Sequence, residues 1–474
     1  MSAPSPVHIG SAKQLFLDDV LIEHSAGFAR VMNPPVKAGP ALVPDKPWES
    51  HRIGAYGTVF EDNGVFRMWY DTIPLGTDGS HDAVFLNHAT STDGIHWEKT
   101  PLGLMDYQGS SDNNIIPIMA CGTVFLDPTA PPDMKYKYVT VHWKSGMFTY
   151  WSADGLNWTM RPEVSLPLDP DTQNQAFYDA RIGKYVAYLR GWNPLRVVVR
   201  CEMDDILQPW PYQPLASPYH IWGPQQLATP SLELPTVLAC DEHDPPDTDF
   251  YNPAVTQYPW APDAYFSFPS AYRHYPEPPV GRLANDGPVD IQMAHSRDGL
   301  AWTRLDRRPY VPLGFEGSPD AGNLYMMVGM IRSGDEIYQY YSGYTYTHGA
   351  GDLNHDEYSG QIIRTVQRLD GFVSLDADYE GASLTTKPLS FTGRRLELNI
   401  NLGAMGTAKV ALLDETGAAL PGFSADDCDL IEGNSVAKMV TWRGSEDVSA
   451  LAGRAVKVKL EMRAGKVYGV RFGG

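Results

Sequence analysis

Apolar and polar positions alternate over short runs through most of the chain, and the apolar positions are filled by aromatic and β-branched residues. Phe66-Arg-Met-Trp-Tyr70, Tyr136-Lys-Tyr-Val-Thr140, Tyr185-Val-Ala-Tyr-Leu-Arg190, Tyr265-Phe-Ser-Phe268 and Ile337-Tyr-Gln-Tyr-Tyr341 are such runs. A period of two with these residue types predicts β-strands. Each run is preceded by another strand-like stretch: Gly57–Asp62, Gly122–Asp127, Gln175–Asp179, Asn252–Tyr258 and Met327–Arg332. A third follows it: Val84–Ala89, Met147–Trp151, Arg196–Cys201, Val289–Ala294 and Gly360–Thr365.

A turn phrase closes these units. Ser91-Thr-Asp93-Gly94-Ile-His-Trp97 returns as Ser152-Ala-Asp154-Gly155-Leu-Asn-Trp158 and as Ser296-Arg-Asp298-Gly299-Leu-Ala-Trp302. Degenerate copies stand at Met203–Trp210 and at Leu369-Asp370-Gly371. Asp-Gly marks a turn because glycine accepts positive φ without steric cost, and the following Trp can pack between neighbouring sheets. Five units of four strands predict a five-bladed β-propeller over residues 11–376, an architecture that leaves only short, protected sheet edges. The strand-like Gln14–Ile22 is expected to complete the last blade. Beyond it, the alternating stretches Leu396–Leu402, Ala408–Leu413, Ala437–Trp442 and Ala455–Met462 predict a β-sandwich over residues 383–474. The expected fold class is therefore all-β, a propeller followed by a C-terminal sandwich.

Composition fits this picture. The 474 residues include 26 Tyr, 12 Trp, 43 Gly and 39 Pro, the mixture of aromatic strands and tight turns that all-β chains use. The net charge of -20, with no basic run, argues against nucleic acid as a ligand. The four cysteines are widely spaced and suggest free thiols rather than disulfides or a zinc site. No run of apolar residues reaches membrane-spanning length, and no signal-peptide pattern opens the chain, so no membrane partner and a cytoplasmic location are expected; a chain trimmed of its signal would read the same way. Oligomeric state is left open.

The segments leading into each first strand converge in a propeller, and each carries a carboxylate: Glu49 with His51 and Arg52, Asp112, Asp171 with Gln173, Asp247 with Tyr251, and Asp320. Convergent carboxylates suit glycosidic bond cleavage, in which one acid protonates the leaving oxygen and a second carboxylate attacks or activates water. Asp171, Asp320 and Glu49 are the expected catalytic residues, although Asp and Asn also populate turns for conformational reasons alone. After the second strands stand His142-Trp143, Arg190-Gly-Trp192, Arg273-His274 and His348, which can stack on sugar rings or hydrogen-bond hydroxyls. Asp352-Leu-Asn354-His-Asp356 alternates oxygen ligands but lacks the glycine and distal glutamate of an EF-hand. No metal or cofactor is expected, and a structural calcium stays open.

Leu15-Phe-Leu-Asp-Asp19, Pro47-Trp-Glu49, Met68-Trp-Tyr70, Thr90–Trp97, Leu369–Asp376 and Leu384–Leu389 resemble bacterial glycosyl hydrolase family 32-like proteins. The propeller followed by a sandwich resembles invertases, levanases and inulinases, and the propeller alone is also similar to those of arabinanases, β-xylosidases and mannoside phosphorylases. The resemblance implies the propeller-plus-sandwich fold and a glycoside or oligosaccharide substrate, with an exo-acting furanosidase as the leading expectation. A glycoside phosphorylase and a non-catalytic sugar-binding propeller are the alternatives. The W-M-N-D-P-N-G, R-D-P and E-C motifs of invertase-type enzymes are not intact here, so their catalytic residues are not carried over.

Overall fold

The computed structural model describes residues 5–76, 84–278, 280, 285–353 and 357–474. The candidate calcium loop Asp352–Asp356 lies largely outside the described residues. The protein is all-β: among the described residues the helical elements are short 3-10 segments, and none is long and apolar enough to cross a membrane. The chain divides into two compact units. One comprises Pro35–Gln257 and Tyr265–Gln367, the other Met1–Pro34, Tyr258–Ala264 and Arg368–Gly474.

The first unit is built from antiparallel meanders, four of them separate four-stranded sheets and the fifth part of an eight-stranded sheet. The first sheet runs Arg52–Asp62, Val65–Ile73, Phe85–Ser91 and Ile115–Met119, and the second Thr123–Leu126, Tyr136–His142, Gly146–Ser152 and Thr159–Met160. The third uses Gln175–Asp179, Lys184–Trp192, Arg196–Met203 and Thr236–Leu238, and the fourth Val255–Gln257, Tyr265–Ser267, Ala294–Ser296 and Trp302–Thr303. In the fifth, Asn323–Met326 and Ile331–Ser333 both pair with Glu336–Tyr344, which is followed by Gln361–Arg368 and Val36–Leu42; on the other side Asn323 pairs in parallel with Val289, and Val289–Ile291, Ser270–Arg273 and Thr248–Phe250 extend the sheet to eight strands. Second strands are buried on both faces: Tyr136–Val141 and Tyr185–Trp192 are buried at every position. This explains why apolar residues fill positions of both parities in those runs.

Consecutive first strands touch. Val124 N donates to Thr58 Oγ1 at 3.2 Å, and Thr123 Oγ1 to Asn174 O at 2.7 Å. Val255 N donates to Gln175 Oε1 at 3.3 Å, and Asn252 Nδ2 to Met326 O at 3.5 Å. Val59 N then donates to Val328 O, and Val328 N to Gly57 O, both at 2.9 Å, so the contacts return to the first sheet.

The repeated phrase is a clip between sheets. In Ser152–Trp158, Ser152 Oγ accepts from Gly155 N at 2.9 Å, and Asp154 Oδ1 accepts from Leu156 N and Asn157 N, both at 2.8 Å. The glycine carbonyl then receives a donor from the preceding sheet. Trp69 Nε1 reaches Gly155 O at 2.8 Å, Tyr188 OH reaches Gly299 O at 2.9 Å, and Tyr340 OH reaches Gly94 O at 2.5 Å. A second periodic link joins the Asp that ends a first strand to the Tyr that opens the next sheet's second strand: Asp62 to Tyr136, Asp127 to Tyr185 and Asp179 to Tyr265.

In the other unit, a six-stranded sheet contains Asn434–Met439, Arg395–Asn401, Gly465–Gly473, Val373–Ala377 and Phe28–Met32, with Gln14–Leu15 beside Gly465–Gly473. A four-stranded sheet orders Ile22–Ala26, Ala382–Thr386, Lys457–Arg463 and Thr407–Leu413. Leu398, Val467 and Phe472 of the first share one core with Leu384, Val410 and Leu460 of the second.

Two expectations are corrected here. Gln14–Ile22 does not complete the fifth sheet: Gln14 and Leu15 pair with Val470 and Gly469, and the outermost strand of the fifth sheet is Val36–Leu42. The physical reason is burial. Leu15, Phe16, Leu17 and Leu21 are all buried, whereas an outermost strand alternates between covered and exposed positions, as Val36–Leu42 does. The turn at Asp370 likewise closes none of the five sheets. Its carboxylate accepts from Tyr258 OH at 2.9 Å and Asn399 Nδ2 at 2.9 Å, and pairs with Lys13 Nζ at 2.6 Å.

Candidate active site

In an antiparallel meander the start of the first strand and the end of the second lie side by side. Arg52 faces Ile73, Gln175 faces Tyr188, and Asn323 faces Tyr344. Residues that precede first strands therefore share one edge of each sheet with residues that end second strands, and a cluster of polar side chains forms at that edge.

Tyr251 stands among its rings, with centroids 4.6 Å from His348, 5.4 Å from Tyr325 and 6.0 Å from Tyr272. Tyr56 OH lies 3.5 Å from Tyr251 OH and accepts from Thr172 Oγ1 at 3.0 Å. Arg190, fully buried, forms an ion pair with Asp171, and its guanidinium lies 4.6 Å from the Tyr251 ring and 4.8 Å from the Trp192 ring. Arg196 stacks 5.4 Å from both Tyr251 and Tyr272 and pairs with Asp249 at 3.1 Å. Arg52, Tyr56, Asp171 and Tyr251 are half-buried, so the cluster reaches solvent through them. Asp171 and Thr172 both hold positive φ, 51° and 49°, a conformation that costs non-glycine residues energy and that Asp tolerates better than most.

Charge is unevenly settled in this cluster. Burial drives the Asp71 carboxyl up to about 7, against the opposing pull of the Cys121 backbone N–H, 3.2 Å from Oδ2, and of the Arg52 guanidinium. The Cys121 thiol is pushed far up by burial and then by the fields of Asp71 and Asp171, so both carboxyl groups lie within electrostatic reach of one sulfur. Burial, reinforced by Arg196, Arg190 and Arg52, lowers His348 to about 3, leaving a neutral imidazole whose Nδ1 is 2.6 Å from Tyr325 OH. Burial would lower the Arg190 guanidinium, but the Asp171 charge outweighs it and the group is raised. Burial would raise Asp249, yet His274 and Arg196 hold it below the usual carboxylate range.

Of the residues expected from sequence, Arg52, Asp171, Arg190, Trp192, Tyr251, His274 and His348 are brought together. His274 joins through Asp249, 3.2 Å from its Nε2, and through the Tyr272 ring at 4.0 Å. Glu49 is fully buried in a 3-10 turn: Lys99 Nζ lies 2.7 Å from Oε2, Tyr70 OH donates to Oε1 at 3.0 Å, and the Asp45 backbone N donates at 2.8 Å. Asp320 accepts from Lys37 at 2.5 Å, Tyr341 OH at 2.7 Å and Ser318 at 2.9 Å; burial opposes its ionisation, but these donors keep it low. Gln173 donates to Gly57 O at 3.0 Å and Gly122 O at 2.9 Å, tying first strands together. His142 lies 2.7 Å from Tyr150 OH, Trp143 meets Trp222 edge-on at 5.9 Å, and Arg273 is 3.6 Å from Asp290. Asp112 and Asp247 are exposed, and His51 accepts the Ser359 hydroxyl at its carbonyl, 2.9 Å away. Among the described residues no group of acidic, His and Cys side chains is arranged to hold a metal ion.

Asp71, Tyr56, Arg196, Cys121 and Tyr325 were not singled out from the sequence. Asp71 directly follows the aromatic run ending at Tyr70, and a charged residue inside a buried strand was the available signal.

No protein-family profile matches the sequence, and no curated protein matches it. Solved structures do align. An N-acetylgalactosamine deacetylase from F. plautii in complex with blood group B trisaccharide has TM-score 0.44 and 12% identity, covering 73% of this chain and 97% of that one. A glycosyl hydrolase from Bacteroides ovatus has TM-score 0.41 and 17% identity, covering 75% and 97%. A glycoside hydrolase family 43 arabinoxylan arabinofuranohydrolase from Bacillus subtilis in complex with cellotetraose has TM-score 0.41 and 11% identity, covering 90% and 96%.

Proposed function

We propose that this chain is a glycoside hydrolase whose catalytic centre is the cluster around Asp71, Asp171 and Tyr251, acting on an oligosaccharide from its non-reducing end, with a furanoside as the preferred sugar. The cyclic contacts among first strands support reading the five sheets as the blades of a propeller, and the shared core of the other two sheets supports reading them as a β-sandwich. The observation that carries the chemistry is a pair of carboxyl groups in different states. Asp71 is held protonated up to about pH 7 by burial, while Asp171 is ion-paired with Arg190. Such splitting separates an acid from a charged partner.

In this reading the Asp71 carboxyl gives its proton to the departing oxygen as the glycosidic C–O bond breaks. The Asp171 carboxylate either attacks the anomeric carbon, forming a glycosyl ester that water then cleaves, or takes the proton of the water whose hydroxyl ends on the anomeric carbon. Tyr251 and the neutral His348 bound the sugar. Glu49 and Asp320, whose oxygens are taken up by lysine, tyrosine and neighbouring donors, are assigned to holding their own loops. The location is proposed to be the cytoplasm, and no cofactor is invoked.

The test is a screen of nitrophenyl furanosides and pyranosides, followed by Asp71→Asn and Asp171→Asn. Turnover on at least one glycoside, reduced by about 100-fold or more in each variant with an unchanged melting transition, supports the assignment. Near-wild-type turnover in both variants overturns it. The three guanidiniums near His348, from Arg52, Arg190 and Arg196, favour one second reading, phosphorolysis. Cleavage that depends on added phosphate would select it.

A further inference from the structure

We infer that a cleft beside the Tyr251 cluster is a second sugar subsite, and that it takes a neutral sugar unit. The inference rests on the glycoside reading above and adds where the rest of the substrate lies. The cleft has a volume of about 610 Å³, and its lining includes Trp192, Arg196, Tyr219, Asp249, His274 and Tyr275. Arg196 belongs to both places: it lines the cleft and stacks on Tyr251.

Three features fix the chemistry. First, Tyr219 and Tyr275 line the cleft with rings left exposed, 43% and 37%, although large aromatic side chains are normally covered. An exposed ring beside polar groups offers a flat apolar face for the C–H side of a sugar. Second, the carboxylate and guanidinium at the wall have unused capacity. Asp249 Oδ2 accepts from the Arg196 backbone N at 3.2 Å and from Nη1 at 3.1 Å, while Asp249 Oδ1 and Arg196 Nε are buried without a protein partner. A buried acceptor and a buried donor left open carry a desolvation cost that hydroxyl groups, which both donate and accept, can remove. Third, the charge balance excludes anions. Asp247 and Asp249 line the cleft against the single guanidinium of Arg196. A uronate or a phosphate would meet net repulsion there.

The experiment is a binding titration followed by ligand-observed saturation-transfer NMR, independent of turnover. The probes are methyl arabinofuranoside, methyl xyloside, methyl galactoside and methyl glucuronide. At least one neutral glycoside is expected to bind, with affinity falling about tenfold in Tyr219→Ala and in Tyr275→Ala, whose exposed rings are removable without opening the core. Asp249→Asn is expected to weaken the same ligand further, and the glucuronide is expected to bind at least tenfold more weakly than the best neutral probe. Failure of every neutral glycoside to bind, unchanged affinity in both tyrosine variants, or equal binding of the glucuronide overturns the inference. Turnover of nitrophenyl glycosides is read separately. Activity without tyrosine-dependent binding leaves the catalytic proposal standing and removes the subsite; tyrosine-dependent binding without activity does the reverse.

Discussion

At the scale of single residues, the state of Asp71 gives the most direct predictions. Its carboxyl titrates near 7 in the folded protein against 3.8 for an ordinary aspartate, and burial is the main cause. The folded state therefore holds a proton that the unfolded state releases between about pH 4 and pH 7. Because the folded state binds more protons there, this group makes stability fall as pH rises through that window and stay level above it. Asp71→Asn should remove that slope, so that the variant is more stable relative to wild type at pH 8 than at pH 4, measured by urea unfolding at the two values. The same proton makes a kinetic prediction: kcat/KM should decline above about pH 7, tenfold per pH unit, and the Asp71→Asn residue of activity should lose that alkaline limb. A limb that persists unchanged in the variant assigns the ionisation to another group. Asp171 was legible in the sequence because it precedes a first strand with a cluster of turn residues. Asp71 was not, because an aspartate closing an aromatic run becomes chemically distinctive only through the burial that neighbouring strands impose.

At the scale of elements, the Ser-x-Asp-Gly-x-x-Trp phrase was readable from the chain because its hydrogen bonds close within a few residues. Its docking was not, since the partner ring lies in another sheet. The Ser152–Trp158 copy separates the two contributions. Asp154→Ala removes an acceptor from two backbone N–H groups, a loss comparable to that of a helix cap, and should cost about 1 kcal/mol. Hydrogen bonds from Asn157 and Leu156 overcome the effect of burial and hold the Asp154 carboxyl at about 2, so its contribution is present above pH 3.8 and disappears as pH falls through about 2. Gly155→Ala meets two obstacles at once. The residue has φ +77°, and an added Cβ would stand 2.8 Å from Trp69 Cζ2. It should cost more than Asp154→Ala, about 2 kcal/mol or above, in guanidinium unfolding. Equal costs for the two variants would mean that the clip does not press on the preceding sheet. The outermost strand of the fifth sheet escaped the sequence reading for a related reason. Val36-Lys-Ala-Gly39-Pro40-Ala-Leu42 carries a glycine and a proline in place of aromatic residues, and its partner Gln361–Arg368 lies at the far end of the chain. Both breakers suit an edge, where one side of the strand needs no hydrogen-bonding neighbour.

At the scale of the whole molecule, the two compact units are interleaved in sequence. The unit with the shared two-sheet core takes strands from both chain ends: Gln14–Leu15, Ile22–Ala26 and Phe28–Met32 pair with Gly465–Gly473, Ala382–Thr386 and Val373–Ala377. The four-stranded meanders lie between those ends and keep complete strand sets from Val36 to Arg368. Removing only residues 369–474 should therefore damage more than the segment removed. Leu15, Phe16 and Leu21, all buried, would lose the sheets that cover them and become an exposed apolar strand edge, which favours aggregation. Removing residues 1–34 as well takes that edge away, so the doubly shortened chain should be the more soluble and should melt in the sharper transition of the two, even though it is smaller. Size-exclusion chromatography and thermal unfolding of the two truncated chains at equal concentration test this ordering. A singly shortened chain that stays monomeric and melts as cooperatively as the doubly shortened one would show that the N-terminal strands do not depend on the C-terminal sheets, against the strand pairing seen here.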